Sequence, residues 1–180
     1  MRVWPRWLFP IALGLAFALP PLPGAGAQAK RQFVQIAQTE TGPSGRPLPR
    51  FVSLRAPEVN LRSGPGIRYP IEWVYTLKGM PLEVIDEFDT WRRVRDWQGS
   101  TGWVHQSMLS PRRGALVIGR QRLMRRQPEE GAPGVALVEA GVVGELRGCT
   151  GGWCRIDIKG FAGWFREKEI FGVLPGERVE

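Results

Sequence analysis

Histidine and cysteine are scarce in this 180-residue sequence: there is one histidine, His105, and there are two cysteines. A cysteine or serine hydrolase needs a histidine base beside its nucleophile, and a serine hydrolase usually shows a Gly-x-Ser-x-Gly elbow, which is absent. His105 follows Gly102-Trp103-Val104 at a strand end, where a surface or turn role is expected. The sequence therefore predicts a protein that is not an enzyme.

Motifs for metals, cofactors and phosphates are also missing. Two cysteines and one histidine cannot complete a four-ligand zinc site. Gly64-Pro65-Gly66 is too short for a phosphate-binding loop, and no helical pattern follows it. We expect no metal and no cofactor.

Long hydrophobic runs are absent as well. The longest, residues 8–19, covers about 12 residues, whereas a membrane-spanning helix needs about 20. Arg2 and Arg6 precede it, and Ala25-Gly26-Ala27 offers small residues for cleavage, so residues 1–27 are predicted to be a secretory signal peptide. An uncleaved anchor is the alternative. Cleavage would leave a periplasmic or secreted protein without a transmembrane anchor.

Residues 28–50, which are rich in Pro, Gly, Ser, Thr and Gln, are predicted to form a flexible linker. The net charge of the whole chain is +8. Residues 51–110 are balanced, with seven basic and seven acidic side chains, whereas residues 28–50 carry four basic and one acidic and residues 111–180 twelve basic and nine acidic. The basic surplus is concentrated between the two units, in Arg112, Arg113, Arg120, Arg122, Arg125 and Arg126, with no acid among them. Such a cluster could bind a polyanion, of which nucleic acid is disfavoured by export, or it could form a solvated connector.

The two cysteines, Cys149 and Cys154, flank a Thr-Gly-Gly-Trp segment. Gly151 and Gly152 supply the positive φ angles that a tight hairpin needs. In an oxidising compartment this spacing favours a disulfide, because the two side chains would face each other across the strand ends. A reduced metal or redox pair is the competitor, although the spacing is not Cys-x-x-Cys.

A sequence frame occurs twice. Arg62, Trp91 and Trp103 recur as Arg125, Trp153 and Trp164, at offsets of 63, 62 and 61 residues. A near-constant period indicates one fold unit used twice. Five or so short strand-like runs per unit, separated by turn residues, favour small antiparallel barrels. The sequence predicts an all-β protein with domains at residues 51–111 and 112–180.

Alternation along the fourth strand of the first unit places Val94 in the core and its neighbours on the opposite face. Aromatic and arginine side chains on such a face are typical of a binding surface, unless a neighbouring loop or the second unit covers them. The candidate ligand-binding residues are Tyr69, Trp73 and Tyr75 on the loop and second strand, with Trp91, Arg93, Arg95 and Trp97 on the outward face.

The motifs resemble those of the bacterial SH3-like (SH3b) domain family. They are Val59-Asn60-Leu61-Arg62-Ser63-Gly64-Pro65, Trp91-Arg92-Arg93-Val94 and Gly102-Trp103-Val104. The stretch from Glu87 to Ser107 is similar to exported proteins of alphaproteobacteria that carry two such domains and no enzyme. The resemblance implies partly open barrels of five to seven strands that bind cell-wall peptidoglycan or its stem peptides.

Two other functions stay open. One is an adapter whose partner is a periplasmic protein or peptide, for example a Pro-rich segment in an aromatic groove. The other is electrostatic adhesion through the arginines between the units. The second unit replaces the family loop with residues 123–130, so a site in the first loop is not transferred to it.

Overall fold

The computed structural model describes residues 40–179. The expected signal peptide and residues 28–39 of the expected linker lie outside this range. Short antiparallel strands and two 3₁₀ turns account for the regular structure of the described part, which confirms the all-β prediction. None of the helices there has the length and apolarity to cross a membrane.

The first domain is a seven-stranded sheet. Its strands are β3 (Arg50–Leu54), β4 (Val59–Arg62), β5 (Ile71–Tyr75), β6 (Pro81–Phe88), β7 (Trp91–Arg95), β8 (Thr101–His105) and β9 (Leu109–Ser110). A 3₁₀ turn, Gln106–Met108, joins the last two. The order in the sheet is β5-β4-β8-β7-β6-β3-β9. A small hairpin, β1 (Glu40–Thr41) with β2 (Pro47–Leu48), precedes it.

The second domain repeats this order strand for strand. Its strands are β10 (Gly114–Val117), β11 (Arg122–Arg125), β12 (Gly134–Val138), β13 (Val143–Thr150), β14 (Trp153–Ile158), β15 (Phe161–Arg166) and β16 (Ile170–Phe171), with a 3₁₀ turn at Glu167–Glu169. The sheet order is β12-β11-β15-β14-β13-β10-β16. The register also repeats, because Arg62 pairs with Trp103 as Arg125 pairs with Trp164. The sequence frame is therefore a structural duplication of a partly open barrel.

Each domain has its own hydrophobic core. The first is built from side chains at alternate positions, among them Val84, Val94 and Val104, which are fully buried. The second includes Cys154, Ile156 and Phe165, also fully buried. The alternation that predicted Val94 inside holds, since β-strand side chains point to opposite faces in turn.

The two domains meet at a tight joint. The backbone of Gly114 approaches that of Gly79 so closely that a Cβ on Gly114 would lie 2.1 Å from the Gly79 carbonyl oxygen. Phe51 and Phe171 pack edge to face with ring centroids 5.0 Å apart. Ser53 Oγ donates a hydrogen bond to the carbonyl of Arg112 at 2.8 Å. These contacts hold the two barrels together directly.

The prediction of a flexible linker up to Arg50 is wrong for residues 40–50. The amide and hydroxyl of Ser44 each donate a 2.8 Å hydrogen bond to Glu87 of the first domain. Leu48 packs against the first core. The composition of this segment is typical of a linker. The sequence did not show that Glu87 is buried and that this segment supplies its hydrogen-bond donors.

Candidate binding groove

A groove of about 360 Å³ opens on the outer side of the first domain. Its walls come from β4, the β4–β5 loop, the start of β7, the end of β8 and the 3₁₀ turn. The lining residues are Glu58, Val59, Asn60, Arg62, Ile67, Trp91, His105 and Met108. We call this cavity the first groove.

Trp91 and His105 form the floor of the first groove. They are directly opposite each other in the β7–β8 ladder, and their rings meet edge to face with centroids 5.3 Å apart. His105 also begins the 3₁₀ turn, where its Nδ1 accepts a hydrogen bond from the amide of Ser107 at 3.3 Å. This is the turn role expected for His105.

Exposed apolar side chains form the rim. Ile67 is 79% exposed and Met108 is 39% exposed. Arg62 holds the loop in place, because its Nη1 donates to the carbonyls of Ile67 at 3.1 Å and Tyr69 at 2.8 Å. A preformed apolar cavity with a few charged groups, here Arg62 and Glu58, is typical of a ligand site.

Exposed side chains lie next to Trp91 on the sheet. Phe88 of β6, 60% exposed, pairs with Trp91. Two residues further along β7, Arg93 pairs with Trp103 of β8. Arg93 is exposed, as the sequence predicted. Arg95 is also exposed, but it forms a 2.8 Å ion pair with Glu83.

Three further candidate residues are solvent-exposed aromatics. Tyr69 is 48% exposed, and its ring packs on Gly64, where a Cβ would lie 2.4 Å from it. Trp73, 60% exposed, lies on β5 at the edge of the sheet. Trp97 is 41% exposed and follows Asp96 in the β7–β8 turn. None of the three lines the first groove.

Tyr75 and Trp91 differ from the expectation of exposed rings. Tyr75 is 3% exposed, because β5 pairs it with Val59 on the core face, and its hydroxyl donates a hydrogen bond to Asp96 at 3.1 Å. Burial, together with the Asp96 carboxylate, raises the pKa of the Tyr75 hydroxyl. Tyr75 is thus a core residue. Trp91 is 9% exposed and serves as a floor rather than a projecting ring.

At the corresponding position of the second domain, a side chain of the domain itself covers the tryptophan. Arg166 lies opposite Trp153, as His105 lies opposite Trp91, and its guanidinium stacks on the Trp153 ring at 4.1 Å. Arg166 Nε also donates to Glu130 at 2.8 Å. That hydrogen bond lowers the pKa of the Glu130 carboxyl. Glu130 takes the place of Ile67, since each is the fifth residue of an eight-residue loop.

A buried ion-pair network joins the β6–β7 hairpin to β3. Glu87, whose side chain is 1% exposed, contacts Arg50 at 2.6 Å and Arg92 at 3.1 Å. Burial acts to raise the pKa of the Glu87 carboxyl, but hydrogen bonds from Ser44 and Arg50 outweigh it and lower the pKa to about 2. The carboxylate is therefore ionised at neutral pH.

The cysteines occupy the same rung of the second domain. Cys149 pairs with Cys154 one rung from the Gly151-Gly152 turn, as Glu87 pairs with Arg92 one rung from its own turn. They form the predicted disulfide, with an S–S distance of 2.03 Å, and both glycines have positive φ. The disulfide is confirmed, and the metal and redox alternatives are set aside.

The arginine cluster after the first domain is partly neutralised. Arg113 pairs with Glu177 at 2.7 Å, Arg122 with Glu169 at 3.7 Å, and Arg125 with Glu130 at 3.2 Å. Glu177 and Glu169 come from distant parts of the chain, so a count along the sequence missed them. The other three arginines are exposed.

Of the residues that line the first groove, the sequence predicted only Trp91 as ligand-binding, and Ile67, Met108 and Glu58 are among those it missed. The signal that could have found Ile67 is an apolar residue in an otherwise polar loop directly after the family motif. The duplicated frame could have shown the replacement of Ile67 by Glu130 and of His105 by Arg166. No signal pointed to Met108, whose position depends on the 3₁₀ turn.

Comparisons with known proteins agree with this duplication. A family model described as "Bacterial SH3 domain" matches residues 55–111 and again residues 121–172. No curated protein matches the chain. Similar solved structures include NlpC2 from Trichomonas vaginalis, at 12% identity, TM-score 0.34 and coverage of 72% of this chain and 50% of that one.

Two further structures are similar to a comparable degree. NlpC1 from Trichomonas vaginalis is 14% identical, with a TM-score of 0.32 and coverage of 68% of this chain and 45% of that one. An NlpC/P60 family protein from Bacillus cereus is 13% identical, with a TM-score of 0.31 and coverage of 67% and 55%. This chain thus spans about half the length of these proteins. The two family matches, each on one of the two sheets, show that the chain belongs to the bacterial SH3 domain family.

Proposed function

We propose that this chain is a non-catalytic, exported binding module and that the first groove recognises cell-wall peptidoglycan through its stem peptides. Membership of the bacterial SH3 domain family supports a binding role. The observation that carries the proposal is the contrast between the domains: in the first domain Trp91 and His105 line the groove, whereas in the second Arg166 stacks on the equivalent tryptophan and donates to Glu130.

The chemistry of the first groove suits a short peptide that carries both a carboxylate and an ammonium group. Arg62 offers a guanidinium to a carboxylate, and Glu58 offers a carboxylate to an ammonium group. The floor of Trp91 and the rim of Ile67 bury apolar parts of the ligand. Exposed rings nearby, such as Phe88, provide faces on which sugar can stack.

The test transfers two side chains of the second domain to the first. The double variant Ile67→Glu/His105→Arg places in the first groove the counterparts of Glu130 and Arg166, which are expected to cover Trp91 as Arg166 covers Trp153. Ile67 is exposed and His105 is half-buried, and neither belongs to the hydrophobic core, so the melting temperature is expected to stay within a few degrees of that of the wild type. Co-sedimentation with purified peptidoglycan sacculi, at low and high salt, is expected to fall at least about tenfold, the effect of losing one desolvated contact site.

A matched control makes the same change of charge elsewhere. Leu137→Glu/Phe161→Arg alters two side chains that are 66% and 63% exposed and line no part of the first groove. It is expected to sediment with sacculi like the wild type. Equal sedimentation of both double variants would overturn the role of the first groove.

A periplasmic protein partner is the second candidate, and the apolar rim favours it. Ile67 and Met108 expose hydrophobic surface beside a 3₁₀ turn, where a peptide could pack. This function predicts no sedimentation with sacculi and a specific partner protein that the Ile67→Glu/His105→Arg variant no longer captures. Adhesion through the arginine cluster predicts a third pattern, in which binding falls steeply with salt and ignores the groove variant.

A further inference from the structure

A second cavity, of about 620 Å³, lies between the two domains. We call it the inter-domain cleft. One wall is formed by the β3–β4 and β5–β6 connections of the first domain, and the other by the β13–β14–β15 side of the second. Its size is within the range of small-molecule sites. It is separate from the first groove and shares no lining residue with it.

Basic side chains dominate the inter-domain cleft. Arg55 and Lys78 come from the first domain, Arg112 from the joint and Lys159 from the second domain. All four are exposed, and among residues 40–179 no ion pair involves any of them. Four cations that lie around one cavity without anionic partners raise the local concentration of anions.

The acids of the inter-domain cleft are engaged elsewhere. Glu145 and Asp157 both contact Arg147, at 3.0 Å and 3.6 Å, and Arg147 does not line the cleft. Asp157 also accepts the amide hydrogen bond of Gly160 at 2.9 Å. Because the two acids share Arg147, the three side chains together leave a single negative charge against the four cations.

The inter-domain cleft is preformed by the joint. The close approach of Gly79 and Gly114 fixes its base, and the Ser53 hydrogen bond fixes the backbone of Arg112. Arg113 adds a two-point contact to Glu177, at 2.7 Å and 3.0 Å. A site that is already in place loses little freedom when a ligand binds.

Lys159 occupies a backbone conformation that does not suit lysine. It has φ of 52° in the two-residue turn between β14 and β15, followed by Gly160 at 88°. Turns of this kind favour asparagine or glycine at the first position, because other side chains are strained there. A lysine in this position costs stability and places a positive charge on the inter-domain cleft.

From these observations we infer that the inter-domain cleft binds a ligand with clustered oxyanion groups, either phosphates or carboxylates. Guanidinium and ammonium groups donate charge-assisted hydrogen bonds to both. The inference does not depend on what the first groove binds.

The test is calorimetric titration of the full exported chain. Inorganic pyrophosphate is one probe and citrate, a tricarboxylate, is the other. Wild-type protein is expected to bind at least one of them. Arg112→Gln/Lys159→Gln is expected to weaken that binding by about tenfold or more, since two charge-assisted hydrogen bonds are lost.

The control is Arg120→Gln/Arg126→Gln, which removes the same charge from exposed residues of the same sequence cluster that do not line the inter-domain cleft. It is expected to bind like the wild type. Binding of pyrophosphate alone assigns a phosphate ligand, and binding of citrate alone assigns a carboxylate ligand. Failure to bind either probe, or an equal loss in both double variants, would overturn the inference.

Lys159→Asn gives an independent readout. Asparagine tolerates the left-handed conformation, so the melting temperature is expected to rise by roughly 2 °C. The affinity for the bound anion is expected to fall, because the charge is gone. A rise in melting temperature with unchanged affinity would mean that Lys159 has no part in binding and would contradict its place in the site.

Discussion

The same rung of the two domains is cross-linked by different chemistry. In the first domain it is the Glu87–Arg92 ion pair, and in the second it is the Cys149–Cys154 disulfide. Each rung also fastens a terminal segment: Ser44 donates to Glu87, and the amide of Cys149 donates to the carbonyl of Val179 at 2.9 Å. Both copies of the duplicated fold therefore carry a cross-link at this rung, of a different kind in each.

Because one cross-link is an ion pair and the other a disulfide, the two domains should lose stability under different conditions. A buried ion pair depends on the ionisation of its carboxylate and is lost in acid. A disulfide is insensitive to acid and is lost in a reducing environment. The two domains should therefore respond to different treatments, which the following experiments test.

Removal of Glu87 should have the largest effect. Glu87→Ala leaves Arg50 and Arg92 buried without their carboxylate, which typically costs about 3–5 kcal/mol. Urea denaturation followed by hydrogen exchange should place this loss in the first domain. Glu83→Gln is the control, because its partner Arg95 is half exposed and such a pair contributes less than about 1 kcal/mol.

Acid should weaken the same domain. The pKa of Glu87 is lowered to about 2 in the fold, so its contribution is complete above the unfolded pKa of about 4.5 and disappears as the pH falls towards 2. The contribution is on the order of 3 kcal/mol. Stability should be measured from pH 6 to pH 2 for the wild type and Glu87→Gln. A constant difference between the two proteins across this range would contradict the assignment.

Reduction of the disulfide should have a smaller effect, confined to the second domain. The loop that it closes is short, and its loss should cost about 2 kcal/mol through the entropy of the unfolded chain. Hydrogen exchange with and without a reductant should show faster exchange in β13 and β14, with β6 and β7 unchanged. Loss of protection in both domains would show that the joint transmits the change.

Arg166→Ala should have the smallest effect on the free energy of unfolding. It removes the stack on Trp153, worth about 1 kcal/mol at a partly exposed site. The mutation should also open the second domain at the position of the first groove. Chemical denaturation measures the first effect, and the increase in acrylamide quenching of the total tryptophan fluorescence over that of the wild type measures the second. Unchanged quenching would mean that Arg166 does not cover the ring.

Much of the architecture was predictable because it depends on local patterns. The repeat of Arg62, Trp91 and Trp103 gave the duplication, and the alternation around Val94 gave the core face. The spacing of Cys149 and Cys154 gave the disulfide. In each case the determining residues are close in sequence or recur with a fixed offset.

The site was predicted only in part, because exposure depends on contacts between distant residues. Tyr75 is as aromatic as Trp73, but its pairing with Val59 and Asp96 buries it. Glu87 resembles a surface acid in the sequence, and only Ser44 and Arg50, far along the chain, show that it is internal. Composition alone could not reveal these partners.

The close approach of Gly79 and Gly114 brings the two domains into direct backbone contact. Two modules joined by a flexible linker gain avidity, but they lose conformational freedom when both bind. Two modules in direct contact have less of that freedom to lose. If the first groove and the inter-domain cleft both bind as proposed, a polymer with groups at the matching interval should engage both sites, and a polymer with another spacing only one.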